Sequence, residues 1–373
     1  MNNLRQITAI QTSAILASSI IGVGVLALPL FAVKAADSGA PLVTLLGMGL
    51  GYVGLFIITL LGVRFPNQSI IRYSEAIIGR WLAWIGSIAI IAFFAILTSL
   101  AAREFGEVVV TSVLKRTPVE VTVIVMLALA TLSCRNGIRT FAYMHHFYFP
   151  LLLGPGFLIV ALSMKNADWI NLQPIWGNDP SGMLHGITTV ASLFQGSFVM
   201  TLIIPAMRRP DRAILASFWG IVIAGGLYVS IVIAAVSVFG PEEIKHLLWP
   251  TLELAKATTL PANVLERLDA AFLAVWVMAV FTTLLTTYFL TIRMTTELFR
   301  LKDHKAFSSF FMPFVFILAL IPKNVFQMYD IIELVGTIGL VITIGYPGLL
   351  LIVALIRKKR GNRPNEQAME QSR

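Results

Sequence analysis

Apolar residues run along this chain in long stretches separated by short polar ones. Ten stretches approach or exceed the roughly 20 apolar residues that a helix needs to cross a bilayer. They fall at about 8–35, 40–63, 81–102, 118–134, 142–164, 183–206, 212–239, 267–299, 307–322 and 326–356. Two are interrupted, at Ser18-Ser19-Ile20-Ile21-Gly22-Val23-Gly24 and at Phe194-Gln195-Gly196-Ser197. Lipid cannot satisfy backbone N–H and C=O groups, so a break at membrane depth persists only where it lines a cavity. Each break leads into an apolar stretch that reaches a proline, Pro29 or Pro205.

Ten spans divide into five and five, and an odd number per half sets the halves in opposite orientations. The interrupted spans are then the first of each half, the pattern of inverted repeats with a small-solute site near mid-membrane. The predicted fold is all-α and polytopic, with ten transmembrane helices in a 5+5 inverted repeat and broken first and sixth helices. One integral membrane domain covers 1–373, with repeat one at about 8–164, repeat two at about 183–356 and a basic tail at 357–373.

Composition agrees: 57% of residues are hydrophobic and 13% charged, against about 25% charged in soluble domains. The lone cysteine, Cys134, excludes an intrachain disulfide and a cysteine-cluster metal site. Met1 to Gln6 carry only Arg5 and no small-residue cleavage site, so the first stretch reads as a retained span. The net charge of +9 is unevenly placed. With both termini on one side, that side collects 19 of the 28 basic residues and 6 of the 19 acidic ones, which makes it cytoplasmic. The basic excess is therefore a topology signal, and nucleic acid is not an expected partner. The tail at 357–363 is a stop-transfer flank able to meet anionic lipid.

Segment 64–80 is amphipathic and is expected along the cytoplasmic face. Within 240–266, Pro241, Glu242 and Glu243 start a short helix, Trp249-Pro250 breaks it, and Thr251 to Ala257 form a second. This pair reads either as a lid over a cavity mouth or as a passively packed loop. The eighth span reaches about 50 Å if fully helical, so it tilts or projects near Glu297–Leu301.

Gly22-Val23-Gly24-Val25-Leu26-Ala27 and Gly49-Leu50-Gly51-Tyr52-Val53-Gly54 match dinucleotide fingerprints in letters only, because both lie in spans and neither follows a strand. Gly47, Gly51 and Gly54 instead suit close helix packing. The five histidines have no ligand spacing. His145 and His146, with Tyr143 and Tyr148, read first as a polar helix end in an aromatic belt and second as a proton path. No catalytic triad, phosphate loop or acidic pair is present, so an enzyme, a metal and a cofactor are not expected. Arg103, Glu104 and Glu107 end the third span; Arg103 and Glu107 can pair at i,i+4, as a salt bridge or as a gate. Mid-membrane charge is otherwise scarce. Thr282, Thr283, Thr286 and Thr287 read as a polar stripe facing the cavity, against the alternative of hydroxyls bonding back to their own helix. Phe93 and Phe94 supply an apolar wall.

The expected site follows from the breaks. N–H groups at Gly22, Val23 and Gly24 and at Gly196 and Ser197 hold a carboxylate. Carbonyls near Ser19–Ile21 and Phe194–Gln195 hold an ammonium. A zwitterionic amino acid needs both.

The sequence resembles the B subunit of bacterial spore germination receptors, the GerAB type. The resemblance is carried by Val238 to Glu253, by Glu266-Arg267-Leu268-Asp269 leading to Trp276 and Phe281-Thr282-Thr283, and by Phe299-Arg300-Leu301-Lys302-Asp303. Gly22 to Pro29, Arg64-Phe65-Pro66 and Gly79-Arg80-Trp81-Leu82 also match. It implies a LeuT-like fold of the amino acid–polyamine–organocation superfamily in the spore inner membrane, termini on the core side. It also implies assembly with an A subunit and a lipoprotein C subunit, and binding of a small germinant, often an amino acid. The implied pocket takes Gly22, Gly24, Phe93, Gln195, Gly196, Thr283 and Thr287, and the implied lid includes Pro241, Glu242, Trp249 and Pro250. Some members carry tyrosine at the position of Phe93, and Thr287 also stands where tyrosine occurs. Gln195 either bonds a ligand or caps the broken helix. Two functions remain open, a germinant-sensing subunit and an amino acid or cation symporter of the same fold; scarce mid-membrane charge favours the sensor.

Overall fold

The structure, a computed structural model, describes residues 6–177, 182–258, 268–301 and 303–361. Arg5, Glu266, Arg267, Lys302, the loop from 259 to 266 and the tail beyond Gly361 lie outside the described residues.

The first span is built in two pieces. Helix α1 (Ala9–Ile20) opens with a capping box in which Thr8 and Gln11 satisfy each other's backbone N–H. After a 3₁₀ turn at Val23–Val25, α2 (Leu28–Ala36) resumes with Pro29 in its first turn, where a missing N–H costs nothing. Asp37, at φ 47°, turns the chain into α3 (Ala40–Arg64). The amphipathic segment forms α4 (Ile70–Ile78), which buries Ile70, Ile71, Tyr73 and Ile77. Then come α5 (Arg80–Ser112), α6 (Val119–Cys134) and α7 (Ile138–Ser163).

The sixth span is broken as the first is. Helix α8 (Met183–Ser192) bends by 42° into the piece spanning Gln195–Ala206, which contains α9 (Met200–Ile203). The remainder is α10 (Ala213–Ile244), α11 (Pro250–Ala257), α12 (Leu268–Leu298), α13 (His304–Ala319), and α14 (Val325–Leu340) running through a π turn at Val341–Gly345 into α15 (Tyr346–Ile356).

Among the described residues, six helices have the length and apolar character to cross a membrane, the bent pair makes a seventh, and α1, α6 and α13 are shorter apolar helices. With α1 joined to α2 across their break and α2 set apart from α3 at Asp37–Gly39, these segments are consistent with the predicted ten. The glycines of α3 act as expected. A Cβ on Gly47 would stand 2.7 Å from Val190 Cβ, one on Gly51 2.8 Å from Phe194 Cβ, and one on Gly54 2.7 Å from Ile344 Cγ1. Three missing side chains thus let the second span lie against both the sixth and the tenth.

The described ends meet at one end of the bundle. Ile7 bridges Met207, Arg64 donates to the Lys359 and Ala354 carbonyls, and Arg357 donates to the Ile77 carbonyl. The eighth span projects there, where Glu297 pairs with Arg72 at 2.8 Å and accepts from Ser69.

Candidate functional site

The carbonyls of the first break are stitched by side chains from other spans. Thr282 donates to the Ser18 carbonyl at 2.9 Å and Tyr228 to the Ile20 carbonyl at 2.6 Å. Thr283 stands 3.4 Å from the carbonyls of both Ser19 and Ile21. The Val25 N–H takes the Gly22 carbonyl, and Thr251 of α11 donates to that of Val25 at 2.7 Å. An ammonium at the carbonyls near Ser19–Ile21 would share them with these internal donors, and the single Thr283 hydroxyl proton serves either Ser19 or Ile21, not both. At the second break the Phe194 carbonyl accepts from the Ser197 N–H.

The two breaks touch through their backbones. A Cβ on Gly196 would run into the Ser19 carbonyl oxygen and stand 3.0 Å from its carbon. Gly22 is closed in the same way by Thr283, whose Cβ would be 2.6 Å from an added methyl. Both positions need glycine because the approach is too close for any side chain.

A cavity of about 80 Å³ lies between the breaks. Of the predicted residues, Val23, Gly24, Gln195, Gly196, Thr283 and Thr287 line it. Gly22 stands behind Thr283, and Ser197 faces a separate crevice against Phe194 and Ile344. Phe93 and Phe94 do not form its wall. Phe94 is fully buried against Phe198, with ring centroids 5.2 Å apart, and Phe93 packs at Gly339. The wall on α5 is instead Leu97, Leu100 and Ala101, one and two turns farther along. The threonine stripe divides into two rows. Thr283 and Thr287 face the cavity, whereas Thr282 and Thr286 are buried and join α12 to Ser18 and Ser19.

Gln195 donates its amide to the Gly336 carbonyl of α14 at 2.7 Å, and its Oε1 has no hydrogen-bond partner among the described residues. It therefore ties the sixth span to the tenth and leaves an acceptor at the cavity. Tyr228, Phe31 and Glu104 also line it, in a way the sequence reading missed. Glu104 belonged to a cluster read as lying at the outer end of its span; it is buried, and its carboxylate borders the cavity. Its signal was the spacing 97, 100, 101 and 104, a single helical stripe.

His145 is a second correction. It is fully buried rather than part of an interfacial belt, with Ser18 Oγ 2.7 Å from Nδ1 and Thr286 Oγ1 3.2 Å from Nε2. His146 is exposed. Ser19 and Thr286 are 2.9 Å apart, so one polar cluster binds the first, fifth and eighth spans below the break.

Arg103 pairs with Glu107 at 2.8 Å, both largely buried, and neither lines the cavity. The lid segment has the expected two short helices, one after a kink at Gly240 (φ 74°) and one in α11. Neither Pro241, Glu242, Trp249 nor Pro250 borders the cavity. Trp249 stacks edge-on with Tyr329, which stacks with Phe31, and Lys245 bridges Asp37 at 2.6 Å and Glu242 at 2.8 Å. These contacts close the end of the bundle opposite the chain ends. The end that carries the chain ends holds a vestibule of about 940 Å³, lined by Arg72, Glu75, Leu202, Arg293 and Glu297 among others.

Known proteins are similar to this chain, some in sequence and others in fold. The family described as spore germination protein matches residues 6–328. Spore germination protein YndE of Bacillus subtilis (strain 168) is 26% identical over 355 residues, covering 95% of this chain and 98% of that protein. Spore germination protein B2 of the same organism is 24% identical over 95% of this chain and 97% of its own length. GerLB of Bacillus cereus is 23% identical over 92% and 93%. Among solved structures, MhsT in complex with L-phenylalanine superposes with a TM-score of 0.71 at 12% identity, covering 92% of this chain and 88% of that one. Mhp1, a nucleobase-cation-symport-1 family transporter with bromovinylhydantoin bound, gives 0.59 at 14% identity over 93% and 78%. The all-helical fold with two interrupted spans is thus the LeuT-type transporter fold, and by a match over residues 6–328 the chain belongs to the spore germination protein family.

Proposed function

We propose that this chain is the germinant-sensing subunit of a spore germination receptor and binds a small amino acid in the cavity between its two broken spans. The observation that carries this reading is the cavity itself, bounded by Gly24 on one break and by Gln195 and Gly196 on the other. At about 80 Å³ it is small beside the roughly 300–1,000 Å³ of drug-sized sites, which suits a compact solute. On this reading the protein sits in the spore inner membrane with both termini on the core side. It works with an A subunit and a lipoprotein C subunit, and solute binding shifts the balance between states of the bundle.

The test is germination of spores whose only copy carries Gly24→Trp, a side chain too large for the cavity. Loss of the amino acid response with the protein still in the membrane is expected; an unchanged response overturns the reading. A second reading, an amino acid or cation symporter, is favoured by the open vestibule and by a carboxylate at the cavity. Concentrative uptake of labelled amino acid by the purified protein in liposomes would select it.

A further inference from the structure

Several polar side chains at the cavity already have partners inside the protein. Tyr228 donates to the Ile20 carbonyl, and Thr287 bonds back to Leu284. The Gln195 amide is committed to Gly336. Unlike these, Gln195 Oε1 and Glu104 Oε1 are buried and have no hydrogen-bond partner among the described residues. Both residues line the cavity, one from each side, on the sixth span and the third. Among the described residues, no lysine, arginine or histidine lines it. The adjacent cation, Arg103, is occupied by Glu107 at 2.8 Å.

A carboxylate in a low-dielectric interior is costly unless a cation or donors reach it. A bound solute can supply such a partner at this place. An ammonium has three donors and a positive charge and no acceptor, which is the complement of a carboxylate and an amide oxygen that line one cavity. A sugar or nucleoside offers donors but no charge, and a bare carboxylate would be repelled. We propose that Glu104, with Gln195 Oε1, is the recognition element for the ammonium group of the solute, and that this pair restricts the site to amines. The inference rests on the cavity being the solute site and adds the residue that sets its chemical class.

The experiment uses the full chain purified into nanodiscs and calorimetric titration with the twenty common amino acids. The deaminated acid and the decarboxylated amine of the tightest binder, and inosine and glucose, complete the set. The expected result is binding of one or more amino acids, retention of measurable binding by the matched amine, and none by the matched acid. Glu104→Gln, nearly equal in shape, weakens amino acid binding at least tenfold with an unchanged elution profile, and Glu104→Asp recovers part of it. Gly24→Trp separates the two levels of the argument. If Gly24→Trp abolishes binding while Glu104→Gln matches the wild type, the ammonium assignment fails and the cavity reading stands. If both bind as the wild type does, the cavity reading fails with it. Binding of the acid, inosine or glucose in preference to every amine, or no binding of any amine, overturns the inference.

Discussion

Gly196 and Ser19 meet where no side chain fits, and that contact sets the geometry of the site. Gly196→Ala pushes a methyl group into a backbone carbonyl that cannot rotate away, so a loss of about 1–3 kcal/mol is expected, the usual range for forced overpacking. Thermal unfolding in detergent measures it, with Gly226→Ala as the control, since nothing lies within 4 Å of a Cβ there. An equal Tm for the two variants would remove the strain argument. The glycines were legible because a break in an apolar run has few physical explanations. Glu104, Tyr228 and Leu97 were not, because a helix repeats its faces every turn. The α5 stripe was recognised at Phe93, but only packing against the first break shows that the cavity lies one to three turns farther on.

The short helices after α10 are held by polar contacts to the first span. Thr251 bonds the Val25 carbonyl, and Lys245 is tied to Asp37, the residue that ends α2. Thr251→Val keeps the shape and removes the bond, so amide exchange over Pro250–Ala257 is expected to accelerate several-fold; unchanged exchange would mean the lid is held by apolar packing alone. Lys245 is raised above its ordinary value chiefly by its hydrogen bond to Asp37 and then by that to Glu242. A cation whose folded pKa is raised contributes fully below its unfolded value and loses that contribution as pH rises through the folded one. Lid protection from this residue is therefore flat from about pH 6 to 9 and falls only in strong alkali. The two helices and their proline elbow were readable from Pro241, Glu242 and Pro250. Their grip on α2 was not, because it pairs residues more than 200 positions apart.

At the scale of the whole molecule, one end is closed by Trp249, Tyr329 and Phe31 and the other opens into the vestibule beneath the basic rim. The sole cysteine, Cys134, is buried, so the native chain is a quiet background for thiol labelling. Leu301→Cys, exposed in the vestibule, is expected to react with a membrane-impermeant maleimide added from the basic side, and Leu100→Cys at the cavity to stay protected from both sides. Equal labelling of the two from the basic side would mean that the cavity and vestibule are continuous. Labelling of Leu301→Cys only from the opposite side would reverse the proposed orientation. The bundle was legible in the run lengths. The difference between its two ends was not, since a list of spans carries no information on which of them part.

The glycine contact between the breaks also limits how the bundle moves. Where two spans meet backbone to backbone, they have no side-chain cushion to compress and no rotamer to yield. The two broken spans cannot draw closer there; the joint yields only by sliding or by separation of the two backbones.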